Sequence, residues 1–222
     1  MRQQVVAAFY SRPQDARRSN EEAQVLVMRT RILSIAAVLL LAVLAGCATA
    51  PSHTRNVCAI FDQRDGWFNN WQRAAERTER EYGVPVPILM ATIYAESGFQ
   101  PRARPPRRKL LGFIPWTRPS SAYGYSQALD GAWDHYQRDT GRWGASRTNF
   151  ADAIEFIGWY HAQSHERNGI ALNDPYNLYL AYYVGWKGYQ QGAWRGNAEL
   201  QRTAQKVASM SALYASQLRN CN

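Results

Sequence analysis

Glu96 sits where a carboxyl could do acid chemistry. Between Pro87 and Ser97, Leu89, Ile93 and Glu96 fall at i, i+4 and i+7, on one face of a helix. A carboxyl that closes an apolar face is partly desolvated, which favours its neutral form and raises its pKa. Such a group can hold a proton at neutral pH and deliver it. The plainer alternative is a helix-terminal carboxylate with a capping or salt-bridge role. Two later segments are rich in groups that could orient such an acid or its substrate: Gly124-Tyr125-Ser126-Gln127 and Ala181-Tyr182-Tyr183-Val184-Gly185. Each is weak alone, because Gly124 also reads as a turn glycine, Gln127 as a surface side chain and Tyr182 as a core tyrosine. His161 and His165 stand at i, i+4 and could face one ion. Their segment, His-Ala-Gln-Ser-His, lacks the glutamate that a metalloprotease places after its first histidine. They read as core or surface histidines, and no metal or cofactor is expected. No glycine-rich phosphate loop is present, and no Ser or Cys nucleophile has a motif around it.

Taken in order, Ala95-Glu96-Ser97-Gly98-Phe99, Gly124-Tyr125-Ser126-Gln127 and Ala181-Tyr182-Tyr183-Val184-Gly185 resemble the lysozyme-like lytic transglycosylases, the soluble-lytic-transglycosylase domain family. The resemblance spans about residues 67–218. It implies that Glu96 is the catalytic acid for the bond between N-acetylmuramic acid and N-acetylglucosamine in peptidoglycan. The same carboxylate then acts as base on the muramic acid 6-hydroxyl, giving a 1,6-anhydro end. No water enters, so the second carboxylate of the usual glycosidase is not needed. The resemblance also implies substrate-side roles for Ser97, Gly124, Tyr125, Gln127, Tyr182 and Tyr183. Ser97 and Gln127 would hold the acid or the sugar, Gly124 would let the backbone approach the substrate, and the Tyr182 hydroxyl would bond the acid. Tyr183 replaces the family asparagine and Ser126 a usual methionine. Two other readings remain open: a non-catalytic peptidoglycan-binding or scaffold lipoprotein, and a hydrolytic muramidase using Asp130, Asp134 or Asp174 as second carboxylate.

The elements that would position these groups read as helices. One is expected over 66–82, with Trp67, Trp71, Ala74 and Ala75 inward and Gly83-Val84-Pro85 closing it. Pro87 suits a first helical turn for the segment ending at Ser97. Asp130 reads as the cap of a helix to Thr140, closed by Gly141. Thr148 or Asn149 caps another through Ile154, Ile157 and His161 to about Arg167, and Asp174-Pro175 starts a short one to Val184. Asn197 opens the last, striped by Leu200, Ala204, Val207, Ser211, Tyr214 and Leu218. No alternating run supports a sheet. The expected fold class is mainly α: a lysozyme-like helical domain with a long loop near the active site.

The N-terminal region reads differently. Met28-Arg29-Thr30-Arg31, an apolar run from Ile32 to Leu44, and then Leu44-Ala45-Gly46-Cys47 resemble a bacterial lipoprotein signal, with Cys47 lipidated and translation starting at Met28. The run is shorter than the roughly 20 apolar residues of a spanning helix. The expected organisation is a signal segment over 1–46, a lipidated tether over 47–57 and one domain over 58–222. Ala48 after the cysteine, with no aspartate there, points to the outer membrane, facing the periplasm. Of 26 basic and 17 acidic residues, six and three precede Cys47, so a net charge of +9 becomes +6 over the mature 176 residues. Six of the basic residues lie between Arg102 and Arg118. That clustering argues against a uniformly basic nucleic-acid binder. The same proline-rich loop continues into Leu110, Leu111, Phe113, Ile114 and Trp116, which suits an anionic surface or a protein partner; a lid over the cleft is the alternative. With Cys47 lipidated, Cys58 and Cys221 remain at the two ends of the domain, and an oxidising compartment would pair them.

Overall fold

The computed structural model describes residues 24–34, 50–64, 70–106, 109–110, 114–115 and 120–221. Cys47, Trp67 and most of the 102–118 loop beyond Pro106 lie outside these residues. The chain divides into two compact units, Met1–Cys47 and Ala48–Asn222. In the first, residues 24–34 are helical and exposed. No described helix is long and apolar enough to cross a membrane.

The second unit is mainly helical: α1 (Val57–Arg64), α2 (Trp71–Tyr82), α3 (Val86–Ser97), α4 (Asp130–Thr140), α5 (Phe150–Asn168), α6 (Pro175–Gln190) and α7 (Ala198–Leu218). Local chemistry sets most of their ends. Side chains of Asn70, Asn149, Asp174 and Asn197 accept first-turn backbone N–H groups, and Gly83, Gly98, Gly141 and Gly169 close helices in the left-handed conformation. The expected helix over 66–82 begins at Trp71, where the Asn70 carboxamide accepts from Arg73 N at 2.7 Å. Asp130 is not a cap. It is the first residue of α4, and its carboxylate bonds Arg147 Nη2 at 2.6 Å while its own N–H donates to Ser121 Oγ. The short helix expected to stop at Val184 runs on to Gln190, because the chain kinks at Gly185 (φ 77, ψ 160) and resumes. Two short strands, β1 (Lys109–Leu110) and β2 (Ile114–Pro115), pair antiparallel inside the basic loop, where no strand was expected.

Helix α3 is the buried axis. Val86, Ile88, Leu89, Met90, Ala91, Thr92 and Ile93 are all buried, so the helix is apolar on every side and not only on the stripe. It packs on α7 on one side and on α2 and α5 on others. An aromatic layer fills the space beneath it. Trp71 stacks on Phe150 at 3.8 Å, and Tyr125 meets both rings edge-on.

The two ends of this unit are fastened together. A disulfide joins Cys58 to Cys221, 163 residues apart. Around it, Val57 N donates to Gln217 Oε1, Gln217 Nε2 to Arg55 O, and the Tyr214 hydroxyl to Thr54 O. The segment read as a lipidated tether over 47–57 is docked on α7 from Thr54 onward. Closing a loop of this length is worth up to about 5 kcal/mol in the chain-entropy model.

Candidate active site

Glu96 lies in the last turn of α3, and the chain beyond it fixes where that turn ends. Gly98 caps the helix at φ 57 with its N–H on Tyr94 O, and Phe99 follows at φ 64. Two successive left-handed residues, one of them phenylalanine, are uncommon. They are held because Phe99 is fully buried against Trp71, at 6.0 Å. The helix end carrying Glu96 is thereby anchored to the core within three residues.

The Glu96 residue is half-buried, and burial of its carboxyl pushes the pKa up to about 7; a hydrogen bond from the Tyr179 hydroxyl pulls the other way. Among the described residues no cation and no second carboxylate acts on it. None of the three aspartates considered as a second carboxylate acts on Glu96. Asp130 pairs with Arg147, Asp174 accepts from Asn177 N and Nδ2 as the α6 cap, and Asp134 is exposed. Tyr179 and Tyr182 are themselves pushed well above the ordinary phenol range, by burial first and then by the Glu96 charge. Both hydroxyls therefore stay protonated and can donate.

Tyr179, not Tyr182, bonds the Glu96 carboxyl. The two stand one helical turn apart on α6, and the earlier one reaches Glu96. The Tyr182 hydroxyl instead donates to Ser126 O at 2.5 Å, and its ring lies 5.0 Å from Tyr160 and 5.6 Å from the His161 imidazole. It ties α6 to the Gly124–Gln127 turn. The signal for Tyr179 was present as a tyrosine at i−3 from Tyr182, but nothing local ranked one above the other.

The remaining expected site residues separate into supports and exposed groups. Ser97 Oγ donates to Ile93 O at 3.2 Å within its own helix, so the proton expected for the acid or sugar is already used. Gly124, expected to admit substrate, admits backbone instead: at φ 77, a Cβ there would stand 2.0 Å from Arg147 O. Tyr125 N donates to that same carbonyl, and Gly124 N to Ala103 O. Tyr125 is 3% exposed within the aromatic layer, too deep to meet a sugar. Gln127, at φ 50, spends its amide N–H groups on Ala103 O and Gly124 O at 2.9 and 2.8 Å, which folds the turn back on the chain after α3. Tyr183 is 62% exposed and remains available to a ligand.

His161 and His165 do not share a site. His161 is fully buried, its Nε2 is 3.1 Å from Thr92 Oγ1, and burial pulls its pKa down to about 3, so it is neutral. Thr92 lies one turn before Glu96, which makes His161 a prop for α3. His165 Nδ1 faces Ile170 O at 2.8 Å. What the arrangement offers chemically is a single protonated carboxyl, oriented by a tyrosine hydroxyl, at the end of a rigid helix.

The chain matches the model of the family described as Transglycosylase SLT domain over residues 35–221. No curated protein matches it significantly.

Proposed function

Because the chain belongs to the transglycosylase SLT domain family, whose members are glycan-cleaving enzymes of the lytic transglycosylase type, we propose that Glu96 serves here as the single acid and base of that reaction. The neutral Glu96 carboxyl donates its proton to the glycosidic oxygen as the C1–O4 bond to N-acetylglucosamine breaks. The carboxylate so formed takes the proton of the muramic acid 6-hydroxyl. O6 closes on C1, giving a 1,6-anhydro-N-acetylmuramic acid end and restoring the acid. No water is consumed. The observation that carries this reading is the isolation of Glu96. Its pKa near 7 comes from burial, with no cation to ionise it and no second carboxylate to direct a water among the described residues. Tyr179 would orient the carboxyl, and the exposed Tyr183 would meet the sugar.

The proposal extends to the envelope. Residues 1–46 would be removed, Cys47 lipidated, and the domain held at the outer membrane facing the periplasm. The 102–118 loop would dock on an anionic surface or a protein partner. Product analysis on purified sacculi tests the reaction. Muropeptides lighter by one water than hydrolysis products, with no reducing end, are expected. Reducing-end products would make the protein a muramidase, and uncut sacculi a binding protein.

A further inference from the structure

A concavity lies beside the helix that carries Glu96. It has a volume of about 710 Å³ and runs between α3 and α7, with Tyr94, Ala95 and Gly98 on one wall and Thr203 to Leu213 along the other. Glu96 is not part of it: on the helix wheel it stands about 160° from Tyr94 and about 100° from Ala95. Yet the two sites share the last turn of α3. At Gly98 an added Cβ would meet nothing within 4 Å among the described residues.

The lining has a definite chemistry. Tyr94, Val207, Met210 and Leu213 give it apolar walls, Arg55 and Lys206 line it as exposed cations, and among the described residues no acid lines it. Among the described residues neither cation has a carboxylate partner. The ten-residue step from Thr203 to Leu213 is about 15 Å of helix, the span of roughly four to five extended residues. The occupant that fits is a short, extended peptide with small apolar side chains and free carboxylates.

We infer that this groove seats the peptide stem that hangs from the muramyl units of the glycan strand, its carboxylates paired with Arg55 and Lys206. The inference rests on the peptidoglycan reading of Glu96 and adds a recognition site to it. The strand would pass Glu96 while the stem turns around the helix end at Gly98, so the enzyme would read a stem as well as a sugar.

Two measurements test this with the full chain. In the first, a soluble stem peptide with free carboxylates is titrated into the Glu96→Gln variant, which takes turnover out of the readout. Saturable binding is expected, weakened roughly tenfold by Arg55→Glu with Lys206→Glu, since each exposed pair is worth up to about 1 kcal/mol and reversal adds repulsion. Binding that is absent, or untouched by the charge reversal, overturns the groove. So does charge-dependent binding to anionic vesicles without peptide binding, which would assign the surface to a membrane. In the second, cleavage is compared on strands with their stems and on strands stripped of them. The reversal should lower kcat/KM roughly tenfold on the first and leave the second unchanged; an equal loss on both overturns the assignment. Should the double variant fail to fold, Lys206→Glu alone, on the exposed face of α7, should give about a threefold loss on stem-bearing strands. Peptide binding without any strand cleavage would strike the catalytic reading and leave the groove standing. Cleavage without peptide binding would do the reverse.

Discussion

Two glutamates in this domain share one perturbation and differ in what answers it. Glu155, on α5, is 8% exposed, and burial raises its pKa just as it raises that of Glu96. Around Glu155, however, the Tyr136 hydroxyl donates to Oε1 at 2.9 Å, the Arg142 guanidinium pairs with that same oxygen, and Arg142 also reaches Glu81. Its charge is answered by a charge. Around Glu96 the partner is a neutral hydroxyl, so removal of the proton leaves a desolvated anion without a cation among the described residues. A raised carboxyl pKa is therefore no mark of catalysis by itself. The counter-ion separates the two: with one, the group is a strut between α4 and α5; without one among the described residues, at a helix end, it suits the proton-donor role proposed for Glu96.

The sharpest way to break this comparison is to neutralise each carboxyl in turn. Glu96→Gln keeps the shape and the bond from Tyr179 and should lose at least a hundredfold in turnover on sacculi. Glu155→Gln should keep the turnover of each folded molecule and lose stability instead, by about 1–2 kcal/mol, because half-exposed Arg142 is left with a weaker acceptor. Denaturant melts beside initial rates measure both. A Glu155→Gln protein that is stable but slow would erase the distinction.

The comparison also has a pH signature. Glu96 is protonated in the folded state up to about pH 7 and in the unfolded chain only to about 4.5. Between these values the native state binds the extra proton, so its contribution to stability falls as pH rises. Above pH 7 the cost is on the order of 3 kcal/mol. Thermal melts should therefore show Glu96→Gln more stable than wild type at pH 8 by several degrees, with the gap closing by pH 4. A gap of constant size across that range would mean that Glu96 is not desolvated. The same proton sets the activity limb: kcat/KM should fall as pH rises past about 7.

The helical frame was legible because its signals are local. Asn149, Asp174 and Asn197 cap where the chain offers an acceptor ahead of an apolar run, and Gly83, Gly141 and Gly169 terminate where a left-handed residue is needed. Glu96 was visible for the same reason, as a carboxyl where an apolar helix ends. What escaped depends on partners far away in sequence. Gly124 and Tyr125 look like substrate contacts until Arg147 O, Trp71 and Phe150 are brought against them. Asp130 looks like a cap until Arg147 takes its carboxylate. Gly185 read as the end of a helix because the sequence does not reveal that the chain resumes helical geometry after one residue that only glycine adopts easily.

Tyr179 and Tyr182 give the finest test, since they differ by one turn of α6 and by the group their hydroxyls reach. Tyr179→Phe removes a hydrogen bond that favours ionised Glu96, so the acid should become weaker. The alkaline limb of kcat/KM should move up, by no more than about one pH unit, for a bond worth about 1 kcal/mol. Turnover at pH 6 should drop no more than about tenfold as the carboxyl loses its orientation. Tyr182→Phe removes a bond to the Ser126 carbonyl instead. It should leave the limb in place and loosen the 124–127 turn, raising KM more than it lowers kcat. Paired pH–rate profiles decide between them. A limb that moves in Tyr182→Phe and stays in Tyr179→Phe would return the acid's hydroxyl partner to Tyr182, and with it the arrangement first expected from the family resemblance.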